Sequence, residues 1–342
     1  MKKVSEIGEF NLVGRILKAI TPRAVSGGRC DKNRARLIVG PGDDAFVAQL
    51  PPGFVIVGTK DLLVEDIHFR RDWASPEDIG YKSMAVNASD LAAMGWCVPL
   101  HAMVGLALPA GTDLDFVKRL YRGMNRCCAR YCFSVAGGDT VSSLRGIVIS
   151  VTMLGAARKK YLLTRSGARA GDMVAVTGTF GDSGAGLYLL QNGIKPVSPD
   201  NRYLIRKHLL PEPRFAHAEA LARSGAATAL IDSSDGLAAS VSFIAQASGA
   251  GARIGLEKIP LSPALRRLSA GGKIAPHRMA LSGGEDYELV CTVRPGRFEL
   301  LKKQIPSLTA VGVITGGKNI EYFLNGKKQN ISTKGFEHFG RN

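Results

Sequence analysis

Short apolar runs of strand length alternate with segments of helical period along most of the 342 residues, and this rhythm limits the available folds more than any other feature. Leu12, Val13, Ile16, Leu17 and Ile20 share one helical face that ends near Pro22, and the Gly-, Arg- and Ser-rich stretch 21–36 reads as a mobile loop. Strands are expected at 37–39 and 55–59, a helix at 76–94, a strand at 101–108 and a helix at 113–132. A further strand at 133–136 runs into Gly137, Gly138 and Asp139, and another spans 146–155. The pattern then repeats in kind. Strands are expected at 173–177, 229–232, 289–293 and 310–314, and helices at 182–191, 215–224 and 237–246. The expectation is a mixed α/β (α+β) protein of two domains, 1–156 and 157–342, with carboxylates delivered by both halves to a cleft between them.

Those carboxylates carry the chemistry. Asp43, Asp44, Asp61, Asp90, Asp139, Asp232 and Asp235 lie mostly beside Gly, Ser or Thr at the ends of apolar segments. Any one of them reads equally well as a cap or a turn former. As a set they point to a divalent cation, because converging carboxylates repel one another unless cations sit among them. No His or Cys accompanies them, which favours magnesium with oxygen ligands and substrate phosphates. The chain contains no Walker lysine motif, and Gly178 to Gly181 lacks the spacing of a dinucleotide-binding loop, so P-loop and Rossmann chemistry are disfavoured.

Charge and cysteine usage remove other classes. A formal charge of +16 suggests nucleic acid, but the basic residues are dispersed and aromatics make up only 7%, without interleaved stacking residues. Nucleic-acid binding is therefore not expected. The six cysteines form no CxxC pair and have no His partner at metal spacing, which indicates reduced thiols. No stretch has the length and apolarity of a membrane span or a signal peptide, so the expected location is the cytoplasm.

The most distinctive string is Ser282-Gly283-Gly284-Glu285-Asp286-Tyr287-Glu288-Leu289. With it stand Gly42-Asp43-Asp44-Ala45, His68-Phe69, the stretch 82–95 ending in Ser89-Asp90-Leu91-Ala92-Ala93-Met94-Gly95, Gly137 to Asp139, Thr164-Arg165-Ser166-Gly167-Ala168, Thr177-Gly178-Thr179 with Gly181-Asp182-Ser183, His208-Leu209 with Pro211, Pro213 and Arg214, and Asp232 with Ser234-Asp235-Gly236-Leu237. In this order the motifs resemble the thiamine-monophosphate kinases of the PurM-like ATP-binding superfamily, nearly end to end. The resemblance implies a two-domain PurM-like fold: an N-terminal mixed-sheet domain that dimerises and a C-terminal α/β domain, with the active site in the cleft. It implies ATP-dependent phosphorylation of thiamine monophosphate to thiamine diphosphate by direct transfer, with several magnesium ions and no covalent nucleophile. By the same resemblance Asp44, Thr59, Asp61, Asp90, Asp139, Asp232 and Asp235 hold metal. Tyr121, Gly138, Asp139, Arg165 and Ser234 contact ATP, while His68, Glu285 and Phe336 contact the thiamine phosphate.

One position departs from the family pattern. Thr59-Lys60-Asp61 stands where Ser-Thr-Asp or Thr-Thr-Asp is usual, so a lysine replaces a hydroxyl. The resemblance makes this a metal-binding position, and Lys60 either points to solvent, replaces a magnesium ion, contacts a phosphate directly, or impairs activity. The alternatives to the main expectation are thus a PurM-like kinase of another small substrate and a catalytically impaired nucleotide-binding homologue.

Overall fold

The structure, a computed structural model, describes residues 36–39, 47–50 and 52–331, with positions 3, 6, 12, 14–16 and 18. Asp43, Asp44 and Phe336 lie outside the described residues, as does nearly all of the loop expected over 21–36. Positions 12, 14–16 and 18 are helical. The chain divides into two compact units: Met1–Leu91 with Cys97–Lys159, and Ala92–Trp96 with Lys160–Asn342.

In the first unit a short antiparallel pair, β1 (Arg36–Val39) and β2 (Val47–Gln49), precedes a four-stranded sheet. That sheet consists of β3 (Val55–Val64), β4 (Gly95–Pro109), β5 (Ser134–Ser143) and β6 (Val148–Leu162), in the order β3-β6-β4-β5. Strands β3 and β6 are antiparallel, and β4 and β5 are parallel. A parallel pair needs a crossover, which helix α2 (Leu114–Tyr131) supplies. Helix α1 (Pro76–Ala92) opens on Ser75, whose Oγ accepts the Asp78 N–H at 3.2 Å, with Pro76 in its first turn. It is buried on most of its surface, with Ile79, Met84, Ala85 and Leu91 at 1% exposure or less and the polar Ser83, Asn87 and Ser89 fully buried beside them. An ion pair ties the two helices, Glu77 accepting from Arg119 Nε at 2.9 and 3.0 Å.

Strand alternation sorts the sheet's faces. Ile149, Val151, Met153, Val104, Leu106 and Leu108 are buried. The opposite face leaves Ile56, Leu62 and Val141 at 61%, 48% and 53% exposure.

The second unit holds a seven-stranded sheet in the order β13-β12-β9-β11-β7-β10-β8. Its strands are β7 (Met173–Val176), β8 (Ala227–Asp232), β9 (Gly251–Gly255), β10 (Leu289–Val293), β11 (Thr309–Thr315), β12 (Ile320–Leu324) and β13 (Lys327–Gln329). The helices are α3 (Asp182–Gln191), α4 (Pro199–Leu209), α5 (Phe215–Ser224), α6 (Leu237–Ser248), α7 (Pro263–Ala270), α8 (Pro276–Ser282) and α9 (Phe298–Gln304). Successive residues serve two cores. Val174, Val176, Ile231 and Val290 pack with Leu189, Leu204 and Val241, whereas Ala175, Leu230, Leu289 and Cys291 pack with Leu221 and Leu301. Helices α4, α7, α8 and α9 and strands β9, β12 and β13 were not anticipated from the sequence. Strands β3 and β5 also run further than expected, so Asp61 and Asp139 lie within strands rather than beyond their ends. Among the described residues no helix is long and apolar enough to cross a membrane.

The described cysteines are all unpaired. Burial pushes the thiols of Cys97, Cys128 and Cys291 up to about 12. A group whose folded value is raised contributes stability that is complete below its unfolded value and is lost as pH climbs through the folded one. Each of these thiols should therefore cost about 1.4 kcal/mol of stability by pH 10. Urea midpoints measured between pH 8 and 10 should fall, and Cys291→Ala should shallow the slope.

Candidate active site

In the first unit Thr59, Asp61 and Asp90 come together at the C-terminal half of α1 and the middle of β3. Thr59 Oγ1 donates to Asp90 Oδ2 at 2.5 Å. Two residues along β3, the Asp61 N–H donates to Asn87 Oδ1 at 3.1 Å, and Asn87 Nδ2 donates in turn to the Ser83 carbonyl at 3.1 Å. Asn87 is fully buried; it stands in the 82–95 stretch that carries the family resemblance but was given no role there, and it ties Asp61 to the helix that carries Asp90. Lys60 lies between Thr59 and Asp61, and strand alternation turns its side chain to the opposite face, where Nζ donates to Ser150 Oγ at 2.8 Å.

Asp139 sits on β5 directly opposite Gly105, and its Oδ1 accepts the N–H of its own neighbour Thr140 at 2.8 Å. Gly138 has a structural reason independent of any ligand, because a Cβ there would stand 2.0 Å from the Val104 carbonyl oxygen of the paired strand. His68 lies in the turn after β3, where Nδ1 accepts the Val64 N–H at 3.1 Å. That bond assigns the neutral ring's proton to Nε2. Tyr121 is 3% exposed on α2, beside a small recess lined by Leu12, Ile16 and Leu114 among others. Burial raises its phenol far above the ordinary value, so it is a neutral hydroxyl.

In the second unit two motifs lie side by side because β8 and β10 are neighbours, with Asp232 paired to Leu289. The pairing continues past the strands as backbone bonds. Ser233 N–H donates to the Glu288 carbonyl at 2.9 Å, Tyr287 N–H to Ser233 at 3.0 Å, and Glu285 N–H to Ser234 at 2.6 Å. Holding this zipper puts Glu285 and Tyr287 in the left-handed region, at φ 56° and 50°. Such conformations cost non-glycine residues roughly 1–3 kcal/mol each and concentrate at functional sites. Asp232 is 4% exposed, and Asp235 Oδ2 accepts from Ser234 Oγ at 3.2 Å. The Arg165 guanidinium lies 5.3 Å over the Phe243 ring, and its loop is held by Ser248 Oγ, which accepts the Gly167 and Ala168 N–H groups at 3.2 and 3.1 Å.

The other acids of the 282–289 string do different work. Asp286 accepts the N–H groups of Gly181 and Ser183 at 2.7 and 3.1 Å and so holds the start of α3. Burial pushes its carboxyl up to about 8 against the pull of those two donors. Glu288, 1% exposed, accepts from Thr177 Oγ1 at 2.7 Å and from both Nε and a terminal nitrogen of Arg214. The string was conspicuous in the sequence, but only its first acid was given a role.

Among the described residues no three Asp, Glu, His or Cys side chains gather as a metal-holding group. The donor set itself, carboxylates and hydroxyls without thiol or imidazole, is of the hard-oxygen kind that suits magnesium.

Two family models match the chain: the N-terminal domain of AIR synthase related proteins over residues 42–157 and the C-terminal domain over 169–325. The thiamine-monophosphate kinase of Bacillus subtilis is 36% identical over 339 residues, covering 97% of this chain and 99% of the relative. A solved structure described as AaThiL complexed with AMPPCP and TMP has 33% identity and a TM-score of 0.76, with 99% of each chain covered. The Stenotrophomonas maltophilia thiamine-monophosphate kinase has 31% identity and a TM-score of 0.79, over 94% of this chain and 98% of that one. Similarity of this extent at these identities, on top of a zipper that joins its two most specific acidic motifs, establishes that the chain belongs to the thiamine-monophosphate kinase family.

Proposed function

We propose that this protein transfers the terminal phosphoryl group of ATP to the phosphate of thiamine monophosphate, producing thiamine diphosphate. The observation that carries this reading is the end-to-end similarity to a kinase structure holding an ATP analogue and TMP. In this reading Tyr121, Gly138, Asp139, Arg165 and Ser234 serve ATP, and His68, Glu285 and Phe336 serve the thiamine phosphate. Thr59, Asp61, Asp90, Asp139, Asp232 and Asp235, with Asp44, would hold magnesium, which would supply positive charge against the phosphates. The acceptor is an anionic phosphate oxygen, so no residue has to remove a proton from it. What the chain supplies is position and charge. Arg165 balances phosphate charge, His68 offers an N–H from Nε2, and Glu285 provides a carboxylate for the cationic thiazolium.

The test is incubation with ATP, magnesium and thiamine monophosphate, with chromatographic detection of thiamine diphosphate. Consumption of ATP that does not depend on thiamine monophosphate would sink the proposal. A homodimer through the first unit is part of the same reading, supported by the exposed Ile56, Leu62 and Val141, and sedimentation of the sample should give a dimer mass. The unpaired thiols are in keeping with the cytoplasm as the proposed compartment.

Lys60 bears on the impaired-homologue alternative. Its bond to Ser150 on the face opposite Thr59 and Asp61 supports reading it as a residue that does not join those two ligands, on the face of the sheet that carries Asp139. Lys60→Thr should therefore leave kcat/KM within about twofold, in keeping with substitutions away from a buried or bonded network. A loss of tenfold or more would show that the ammonium takes part in the reaction.

A further inference from the structure

We infer that His208 is a positioning residue for Glu285 and thereby sets the affinity for the thiamine substrate. His208 lies in the last turn of α4 and is 3% exposed. Its Nδ1 stands 3.2 Å from Glu285 Oε2 and 3.2 Å from Ser183 Oγ. Two features bring the imidazole there. Helices α3 and α4 approach so closely that a Cβ at Gly186 would stand 2.2 Å from the Leu204 carbonyl oxygen and 3.1 Å from His208 Cβ. Ser183, 1% exposed, opens α3 and is itself fixed through its N–H to half-buried Asp286.

Glu285 is built in the complementary way. Its backbone is clamped to Ser234 in a left-handed conformation, but its side chain remains 26% exposed and has rotamers to lose. With its proton on Nδ1, the rigid, buried ring shares that hydrogen between Glu285 Oε2 and Ser183 Oγ, both 3.2 Å away, and so favours one orientation of the carboxylate before any substrate arrives. Preorganisation of this kind shows as affinity for the ligand that the carboxylate meets, and leaves the other ligand untouched. His208 Nδ1 faces Glu285 and Ser183 rather than the proposed nucleotide contacts Arg165 and Ser234, so the two affinities should separate.

The inference rests on the proposed role of Glu285 in binding the thiamine phosphate, and the experiment keeps the two apart. An asparagine at this position places its amide nitrogen near that of Nδ1, whereas glutamine fills the same buried space but places its nitrogen near Nε2. His208→Asn should keep the KM for thiamine monophosphate within about threefold of wild type. His208→Gln should raise it about tenfold or more, the loss expected for one charge-assisted bond, with the KM for ATP unchanged in both. In an Glu285→Ala background the Asn and Gln variants should become indistinguishable. If Glu285→Ala alone leaves the KM for thiamine monophosphate unchanged, the substrate role of Glu285 falls. If Glu285→Ala raises that KM but the Gln and Asn variants match each other, or shift both substrates alike, the positioning role of His208 is overturned.

Discussion

Asp232→Asn should lower kcat by about 100-fold or more while leaving the melting temperature close to that of wild type. Asparagine keeps the shape of the side chain and removes only its charge, so the change reads electrostatics rather than packing. The backbone that places Asp232 is overdetermined. It ends β8 opposite Leu289, its carbonyl accepts from Ser240 Oγ at 3.3 Å, and the zipper to the 285–288 segment begins at the next residue. None of those bonds uses the carboxylate. In phosphoryl transfer the protein's contribution is the fixed charge that faces the phosphates and their cations, and loss of one such group typically removes about 3 kcal/mol of transition-state stabilisation. A parallel titration should show a higher magnesium requirement. Full turnover by the variant would remove Asp232 from the metal site and leave it a strand-end residue.

Much of the molecule could be read from the sequence where the controlling forces are local. The helix now called α6 and the strands β7, β8 and β10 were placed within a few residues because their apolar periodicity belongs to the segment itself. Helix α4 was missed although Ser198 caps it, Pro199 starts it and Arg206, Lys207 and His208 close it; its few apolar residues obscured signals that were present. The glycines at 137 and 138 illustrate a different limit. They look like a turn, yet β5 runs through them, and the space Gly138 leaves is taken by the Val104 carbonyl, a partner far away in sequence. The direction of Lys60 followed from nothing more than period-two alternation, once β3 was known to continue to Val64.

The candidate site divides along the same line. The identity of the acids was legible as motif, but the distribution of labour among Glu285, Asp286 and Glu288 was not. One short segment sends Glu285 to His208, Asp286 to the start of α3 and Glu288 into a buried ion pair, and only the tertiary packing tells these apart. Asn87 and Ser248 were missed for a related reason. Each acts by bonding the backbone that carries a candidate residue, and an amide or hydroxyl on a helix gives no sign of that in the sequence.

The largest loss of stability should come from Glu288→Ala, which is expected to cost about 3–5 kcal/mol. Glu288 is 1% exposed, and its oxygens take Thr177 Oγ1 at 2.7 Å, Arg214 Nε at 2.8 Å and a second Arg214 nitrogen, with Lys207 Nζ at 3.8 Å. Removing the carboxylate leaves a guanidinium whose side chain is only 19% exposed facing a void, with the Glu212 carboxylate at 3.6 Å as a more distant counter-charge. It also frees the Thr177 hydroxyl, which continues to accept the Leu289 N–H at 2.9 Å but loses its acceptor. The ion pair as a whole is not expected to be worth that much, since desolvating both charges offsets most of their attraction. The double variant Glu288→Leu with Arg214→Met should therefore be more stable than Glu288→Ala alone, a non-additivity that marks an orphaned charge as the origin of the loss. Urea denaturation of wild type, Glu288→Ala, the single variants Glu288→Leu and Arg214→Met, and the double variant decides the matter. If the double variant loses at least the sum of the two single changes, the damage comes from packing around β8 and β10, and the buried charge is incidental.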